Sequence, residues 1–362
     1  MFTKLSLYIV KLGRWLKTFW RKNWWHKTLI IVILVLLTLV GGAYGIARWY
    51  IASEKGQQVL GVSFIPAYAE SLGLDAQKTM DGLINDVGVR HFRLVSYWDQ
   101  LEPSKGNYDF SLLDWQFRKA EAAHAKITLA IGLRQPRWPE CHAPDWTKSE
   151  PKSQWQPQLN DFMTQVINRY KSSPSLDSYQ LENEFSLDGF GTCTDFDRSR
   201  LIQEFALVKK LDAAHPVIMS RSVNFPTPML SAPRPDIVGF SIYRRVWDGQ
   251  FTHRYFTYPM PSWYFAFQAG VQKILTGRES IVHEIQAEAW PPNGQSIQQT
   301  SLAEQDKTIS ADRLKSTVQF GKNTGMRQIY LWGAEYWYYR AQTLHDPSLL
   351  QTATQEFHQN QN

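Results

Sequence analysis

Eight short runs rich in β-branched residues, each followed by a longer stretch with helical spacing, leave few folds open to this chain of 362 residues. The runs are 59–65, 90–96, 126–133, 178–183, 217–221, 237–242, 280–284 and 328–332. Between them, apolar residues recur every three or four positions. Ala76, Met80, Leu83, Ile84 and Val87 form one such stripe, Leu159, Phe162, Met163, Val166, Ile167 and Tyr170 a second, and Leu201, Phe205, Val208 and Leu211 a third. These stripes are core faces. Strands alternating with helical crossovers demand a parallel sheet, and eight units point to a closed α/β (β/α)₈ barrel rather than a doubly wound open sheet. The unit after 217–221 is the weakest, because 225–235 contains four prolines and can hold only a short helix. No low-complexity block or long linker interrupts 59–357, so this part reads as one unit.

A second feature lies ahead of the first strand. Residues 28–47 carry no charge for twenty positions, enough to cross the hydrocarbon core of a bilayer as a helix. The preceding residues are basic: 1–48 hold eight Lys and Arg and no Asp or Glu. The positive-inside rule then keeps the N-terminus cytoplasmic and puts the barrel outside the cytosol. A cleaved signal peptide is the competing reading, but the basic region and the apolar run are both longer than a secretory signal usually has. The expected organisation is a basic cytoplasmic or interfacial segment over 1–27, a transmembrane helix over 28–47, a linker over 48–57 and the barrel over 58–362. Within the first segment, Lys4, Lys11, Arg14, Lys17 and Arg21 alternate with apolar residues as in an interfacial amphipathic helix. Trp15, Trp20, Trp24, Trp25 and Trp49 belong to the membrane interface. The formal charge of +6 suggests a polyanion partner at first sight, yet 49–362 contain 31 basic and 33 acidic side chains, net −2. A body of that charge argues against nucleic acid, which needs clustered Lys and Arg.

In a barrel of this kind the site lies at the C-terminal ends of the strands. Strand four runs out through Tyr179-Gln180-Leu181-Glu182-Asn183-Glu184, and strand seven through Ile281-Val282-His283-Glu284. Two carboxylates delivered across one mouth suit a reaction that needs a proton donor and a nucleophile. Here the chain resembles the retaining glycoside hydrolases of clan A, the cellulase and β-galactosidase type of (β/α)₈ enzyme. In those families an Asn-Glu pair closes strand four and its Glu is the acid/base, while a second Glu closing strand seven is the nucleophile. The resemblance places Asn183-Glu184 and Glu284 in these positions. It extends to Arg93, similar to the clan's strand-two arginine, and to Trp98–Phe110, similar to a W-x-x-x-E-P-x-x-G-x-Y-D-F run. Tyr243 ends strand six, where the clan often has a tyrosine bonded to the nucleophile. Trp332 ends strand eight, where a tryptophan usually stacks under the sugar. The chain departs from the pattern at Phe185, where Pro is common, and at His283 and Gln286, where Thr and Gly flank the nucleophile.

The chemistry is consistent with the residues. Cleaving a glycosidic bond builds oxocarbenium character, which needs an acid for the leaving oxygen and, for retention, a carboxylate about 5–5.5 Å away at the anomeric carbon. Glu184 is then expected neutral and Glu284 ionised, with Arg93 and Tyr243 stabilising the charge and Asn183 binding a sugar hydroxyl. Glu182 and Glu288 are rival carboxylates: Glu182 is expected to bond within the barrel, and Glu288 to bind substrate or act as the nucleophile itself. Trp98, Trp138 and Trp290 lead a set of tryptophans in the loops after strands, with Trp146, Trp247, Trp263 and Trp337; such rings stack on pyranose faces or cap a core. Cys141 and Cys193 fall in loops that neighbour each other in the barrel, so a disulfide is expected over two unpaired thiols.

Other chemistries find no support in the sequence. It has no G-x-S-x-G elbow, His283-Glu284 lacks the second histidine of a zincin, and Gly189-Phe190-Gly191 does not extend to a dinucleotide fingerprint. Its nine histidines are scattered, and neither a metal nor a cofactor is expected. The expectation is a membrane-anchored retaining glycosidase acting on an oligo- or polysaccharide. The alternatives are a non-catalytic polysaccharide-binding or envelope scaffold barrel, and a transglycosylase using the same carboxylates.

Overall fold

Each of the eight β-branched runs forms a strand. The computed structural model describes residues 13–14, 24–54, 56–187, 189–221 and 229–361. In chain order the barrel strands are Val59–Ser63, His91–Val95, Lys126–Ile131, Leu176–Leu181, Val217–Arg221, Ile237–Ile242, Glu279–Gln286 and Gln328–Trp332. All pair in parallel with their neighbours, and strand one closes the ring on strand eight from Val59↔Gln328 to Val62↔Leu331. The chain is a (β/α)₈ barrel.

The helices return on the outside with the expected faces inward. Leu159, Phe162, Met163, Val166, Ile167 and Tyr170 of the helix Lys152–Tyr170 are all buried. So are Ala76, Met80, Leu83, Ile84 and Val87, whereas in Arg198–Leu211 only Leu201 and Val208 are fully covered and Phe205 and Leu211 half so. Burying such a side chain stabilises the fold by about 1.5–3 kcal/mol. Local signals set the starts: Asp75, Asp197 and Ser310 each accept a first-turn backbone N–H with their side chains. Strand six departs from the simple pattern. It leads into an antiparallel hairpin, Arg245–Asp248 with Arg254–Thr257, before the helix Ser262–Thr276 returns. The proline-rich connection after strand five lies partly outside the described residues, as do most of residues 1–27, with Trp15, Trp20 and the expected amphipathic helix.

The lumen is layered. Ile218, Ile281 and Tyr330 plug its floor. Above them Thr128 shares hydrogen bonds with Ser178 at 2.8 Å and with the Tyr330 hydroxyl at 3.0 Å. Polar residues then take over towards the mouth, which is where the site forms.

Ahead of the barrel, Trp24–Ser53 is one helix of 30 residues, long and apolar enough to cross a membrane. Its C-terminal turns are not a linker. The expected linker over 48–57 is helical to Ser53, and Ala47 and Tyr50 are fully buried against the barrel's helix layer. Packing on Ser262–Thr276 extends the helix past the end of the apolar run.

Candidate active site

Strand two sends Arg93 into the lumen, where it is almost completely buried and acts as the hub of the polar layer. Its guanidinium donates to Gln180 Oε1 at 2.6 Å, to Ser63 Oγ at 3.2 Å, to Asn183 Oδ1 at 2.9 Å and to Glu284 Oε2 at 2.7 Å. Buried charges persist only when paired and hydrogen-bonded. Arg93 satisfies that condition for Glu284 and ties strands one, two, four and seven together at one level.

Glu284 reaches this level through an irregularity in its strand. Phe240 pairs with Val282 but Ser241 pairs with Glu284, so strand seven carries one extra residue, His283. This bulge brings Glu284 level with Ser241 on the lumen side. The second carboxylate oxygen of Glu284 accepts a short hydrogen bond from the Tyr243 hydroxyl.

Glu184 arrives from strand four by a turn in which Glu182 and Glu184 both adopt left-handed backbone, φ 50° and 46°. For non-glycine residues this conformation costs of order 1–3 kcal/mol and needs outside support. The support comes from Glu182, whose carboxylate accepts the backbone N–H groups of Leu133 and Arg134 and a bond from Arg200 at 2.8 Å. Glu182 is thus a structural anchor, as the sequence suggested. A side chain at Gly132 would collide with it, because a Cβ there would lie 2.5 Å from Glu182 Oε1. Glu184 itself accepts a short bond from Ser241, the residue paired with Glu284, and its backbone N–H donates to Ser220 Oγ at 2.8 Å. The two carboxyl groups line one cavity, with Ser241 bonded to Glu184 and paired along the backbone with Glu284. Burial, and then the negative charge of Glu284, push the Glu184 pKa up to about 8.

A third acid joins them that sequence reasoning missed. Glu140 stands in the loop after strand three, beside Cys141 and in left-handed backbone at φ 70°. Asn183 Nδ2 donates to its Oε2 at 2.9 Å, and burial pushes it up to about 7. The only sequence signal was its position next to a cysteine. The disulfide Cys141–Cys193 is formed and holds this loop to the segment after strand four. There Thr192 donates to the Pro139 carbonyl at 2.9 Å, and Gly191 packs against Glu140 so closely that a Cβ would lie 2.7 Å from the Glu140 Cβ. Replacing both cysteines with serine is expected to lower the unfolding free energy by about 2–4 kcal/mol. Urea titration measures it, and an unchanged midpoint would show that the loop is held without the bond.

A cavity of about 310 Å³ is lined by Glu184, Glu284, Glu140, Ser241, Tyr243, Trp332 and Trp290, among others. It adjoins a cleft of about 1260 Å³, with Arg137, Trp138, Glu288 and Trp290 common to both. The expected site residues Arg93, Asn183, Tyr243, Trp332, Trp138, Trp290 and Glu288 are thus brought to one mouth. Glu288 is engaged by Arg137 through both oxygens, at 3.2 and 3.1 Å, and not by Arg93 or Tyr243. Arg137, also unforeseen, lies over the Tyr68 ring at 3.3 Å and the Trp332 ring at 4.4 Å.

Trp98 corrects the expectation. It is fully buried, stacks on Phe162 at 5.8 Å, and its indole N–H donates to Glu102. It fills the core under helix Lys152–Tyr170, as Trp337 does under strand seven, where its N–H reaches the Ala287 carbonyl. The departures around the carboxylates also acquire reasons. Gln286 accepts the Arg244 and Arg245 backbone N–H groups at 3.0 and 2.9 Å and fixes the exit of strand six. Phe185 lies under the Arg200 guanidinium at 5.4 Å. Among the described residues no cluster of His, Cys, Asp or Glu has the form of a metal site.

Known proteins give the same architecture. A family profile described as beta-galactosidase matches residues 75–199, the part that contains strands two to four and Asn183-Glu184. The chain is similar in fold to clan A glycoside hydrolases. The beta-galactosidase of the Antarctic haloarchaeon Halorubrum lacusprofundi superposes with a TM-score of 0.55 at 15% identity, over 84% of this chain and 58% of that one. The beta-galactosidase of Rahnella sp. R3 gives 0.54 at 12% identity, over 85% and 56%. An endo-beta-1,4-xylanase from Gloeophyllum trabeum gives 0.53 at 15% identity, over 84% and 98%. The chain thus spans a little over half the length of the beta-galactosidases it matches. No curated protein matches it significantly in sequence.

Proposed function

We propose that this chain is a membrane-anchored retaining glycoside hydrolase, with Glu184 as acid/base and Glu284 as nucleophile. The observation that carries the reading is the unequal environment of two acids that line one cavity. Glu184, desolvated and facing a negative neighbour, keeps its proton, whereas Glu284 faces the Arg93 cation and the Tyr243 hydroxyl. That asymmetry supports Glu184 as donor and Glu284 as nucleophile. In the first step Glu284 attacks the anomeric carbon as Glu184 protonates the departing oxygen. In the second, Glu184 takes a proton from water, which attacks the same carbon and releases Glu284. Asn183 and Glu140 lie where sugar hydroxyls would bind, and Trp332, Trp290 and Trp138 offer stacking faces. Glu288 with Arg137 would recognise the sugar next along the cleft. The apolar helix serves as the anchor, with the basic N-terminus cytoplasmic and the barrel outside.

The test is hydrolysis of aryl glycosides, beginning with β-galactosides because the matched profile and two similar structures carry that name. Proton NMR of the first product should show the anomer of the substrate, and inversion would contradict the double displacement. Transfer to an added alcohol would place the chain among transglycosylases with the same carboxylates. The pH profile follows from Glu184. Because the acid must be protonated, kcat/KM should fall about tenfold per unit above pH about 8. Folding is linked with the same sign: Glu184 holds its proton more tightly folded than unfolded, so its contribution to stability declines as pH rises from about 4.5 to about 8. A flat profile to pH 9.5 would remove Glu184 from the acid role.

A further inference from the structure

The N-terminal helix is docked on the barrel in a definite direction. In a parallel barrel the strands run towards the mouth and the outer helices run away from it. The helix Ser262–Thr276 therefore begins at the mouth and ends at the floor, where Glu279 opens strand seven. Along it the contacts advance in step with the N-terminal helix. Tyr44 meets Trp263 edge to face at 5.8 Å. Two turns further along Ser262–Thr276, Ile46 and Tyr50 press on Gly270, where a Cβ would come within 2.8 Å of Ile46 Cγ2. At the floor Glu54 pairs with Lys273 at 2.5 Å, and Ile51 packs on Gly325, just ahead of strand eight. The two helices are parallel, with residue 44 level with the mouth and residue 54 level with the floor.

The rest of the N-terminal helix consequently projects past the mouth. Residues 24–43 would extend about 30 Å in a straight helix, the thickness of a hydrocarbon core. Beyond His26 and Lys27 at its start this portion is apolar, and it is unburied, between Trp24 and Trp25 at one end and Tyr44 and Trp49 at the other, the aromatic pairing expected at two interfaces. The outer interface thus falls at the level of Trp263, on the mouth side. A separate observation agrees with this. Trp138, Leu230, Phe251 and Phe256 are exposed large apolar side chains that stand on loops leaving strand C-terminal ends, and Phe251 is 85% exposed. Rim aromatics of this kind suit a headgroup layer.

We propose that the mouth of the barrel faces the bilayer and that the substrate is a saccharide attached to a membrane lipid, hydrolysed at the outer surface. The inference rests on the anchored hydrolase reading, and it adds the direction of approach. A free polymer would have to enter between rim and bilayer, whereas the glycan of a lipid in the same leaflet stands directly under the cleft.

The experiment uses the full chain in phosphatidylcholine vesicles with the native disulfide intact. A fluorophore is placed at the rim by Phe251→Cys or at the floor by Ser172→Cys, and quenched by headgroup spin-labelled lipid. The rim label should be quenched at least about fivefold more than the floor label, because nitroxide quenching is confined to contact and the positions differ by the height of the barrel. Equal or reversed quenching overturns the orientation while leaving the anchor intact. Failure of the chain to float with the vesicles overturns the anchor and this proposal with it. In a second arm, an aryl glycoside is tied to phosphatidylethanolamine through a linker of three or eighteen residues, about 10 or 60 Å when extended. Both should be cleaved at similar rates. Cleavage of only the long-linked or free glycoside overturns the lipid-attached substrate, whereas cleavage of none in any form defeats the hydrolase reading and leaves the quenching result to stand alone.

Discussion

On the proposed roles, Glu284→Gln is expected to lower kcat by about four to six orders of magnitude for every glycoside accepted, since it removes the proposed nucleophile and with it the covalent route. The substitution is nearly isosteric: the amide oxygen can still accept from Arg93 while its NH2 donates to the Tyr243 hydroxyl, so folding should survive. Glu184→Gln should behave differently. With an aryl leaving group of low pKa the first step needs little acid assistance, so glycosylation is spared and deglycosylation becomes limiting. With an alkyl or sugar leaving group both steps suffer. The contrast between the two variants separates the roles. Leaving-group dependence in Glu284→Gln instead of Glu184→Gln would reverse the roles, equal losses on all substrates would contradict the division between them, and unaffected turnover in either would remove that residue from the chemistry.

Arg93→Leu carries the largest expected cost in stability. The guanidinium is 1% exposed and donates four hydrogen bonds at the centre of the lumen. Without it, Glu284 is left as a buried charge with no cation, a change that typically costs about 3–5 kcal/mol. The site also loses the cation that faces the Glu284 carboxylate, so kcat should fall as well. Arg93→Lys should restore the charge but not the fork, because one ammonium has three N–H groups for the four acceptors Ser63, Gln180, Asn183 and Glu284. Guanidinium unfolding and steady-state turnover measure the two effects. A loss below about 1 kcal/mol would mean that the lumen is wet enough to solvate Glu284 unaided.

Much of this was legible because barrel strands write themselves plainly. Their β-branched runs and the 3.6-residue stripes between them are local patterns, and three strands, 217–221, 237–242 and 328–332, have the bounds read from the sequence. Glu184 and Glu284 drew notice because they fall at the strand ends read from the sequence, where topology dictates direction, although strand four stops at Leu181 and strand seven runs on to Gln286. Glu140 and Arg137 were not, since their placement depends on left-handed backbone in the loop after strand three, and Trp98 was misplaced because a loop tryptophan carries no mark of which way its ring turns. The docked end of the N-terminal helix was also hidden. Hydropathy reports where a helix leaves lipid, whereas Gly270 and the Glu54–Lys273 pair, far apart in sequence, decide that it continues along the barrel.

The central claim is that Glu284 forms the bond to sugar, and trapping tests it most directly. A 2-fluoro-glycoside with a good leaving group slows both steps but hydrolysis of the intermediate more, so the adduct accumulates. Peptide mapping of the inactivated protein should find one glycosyl ester, on the peptide containing Ile281-Val282-His283-Glu284 and carried by Glu284. An ester on Glu288 or Glu140 instead would contradict the assignment.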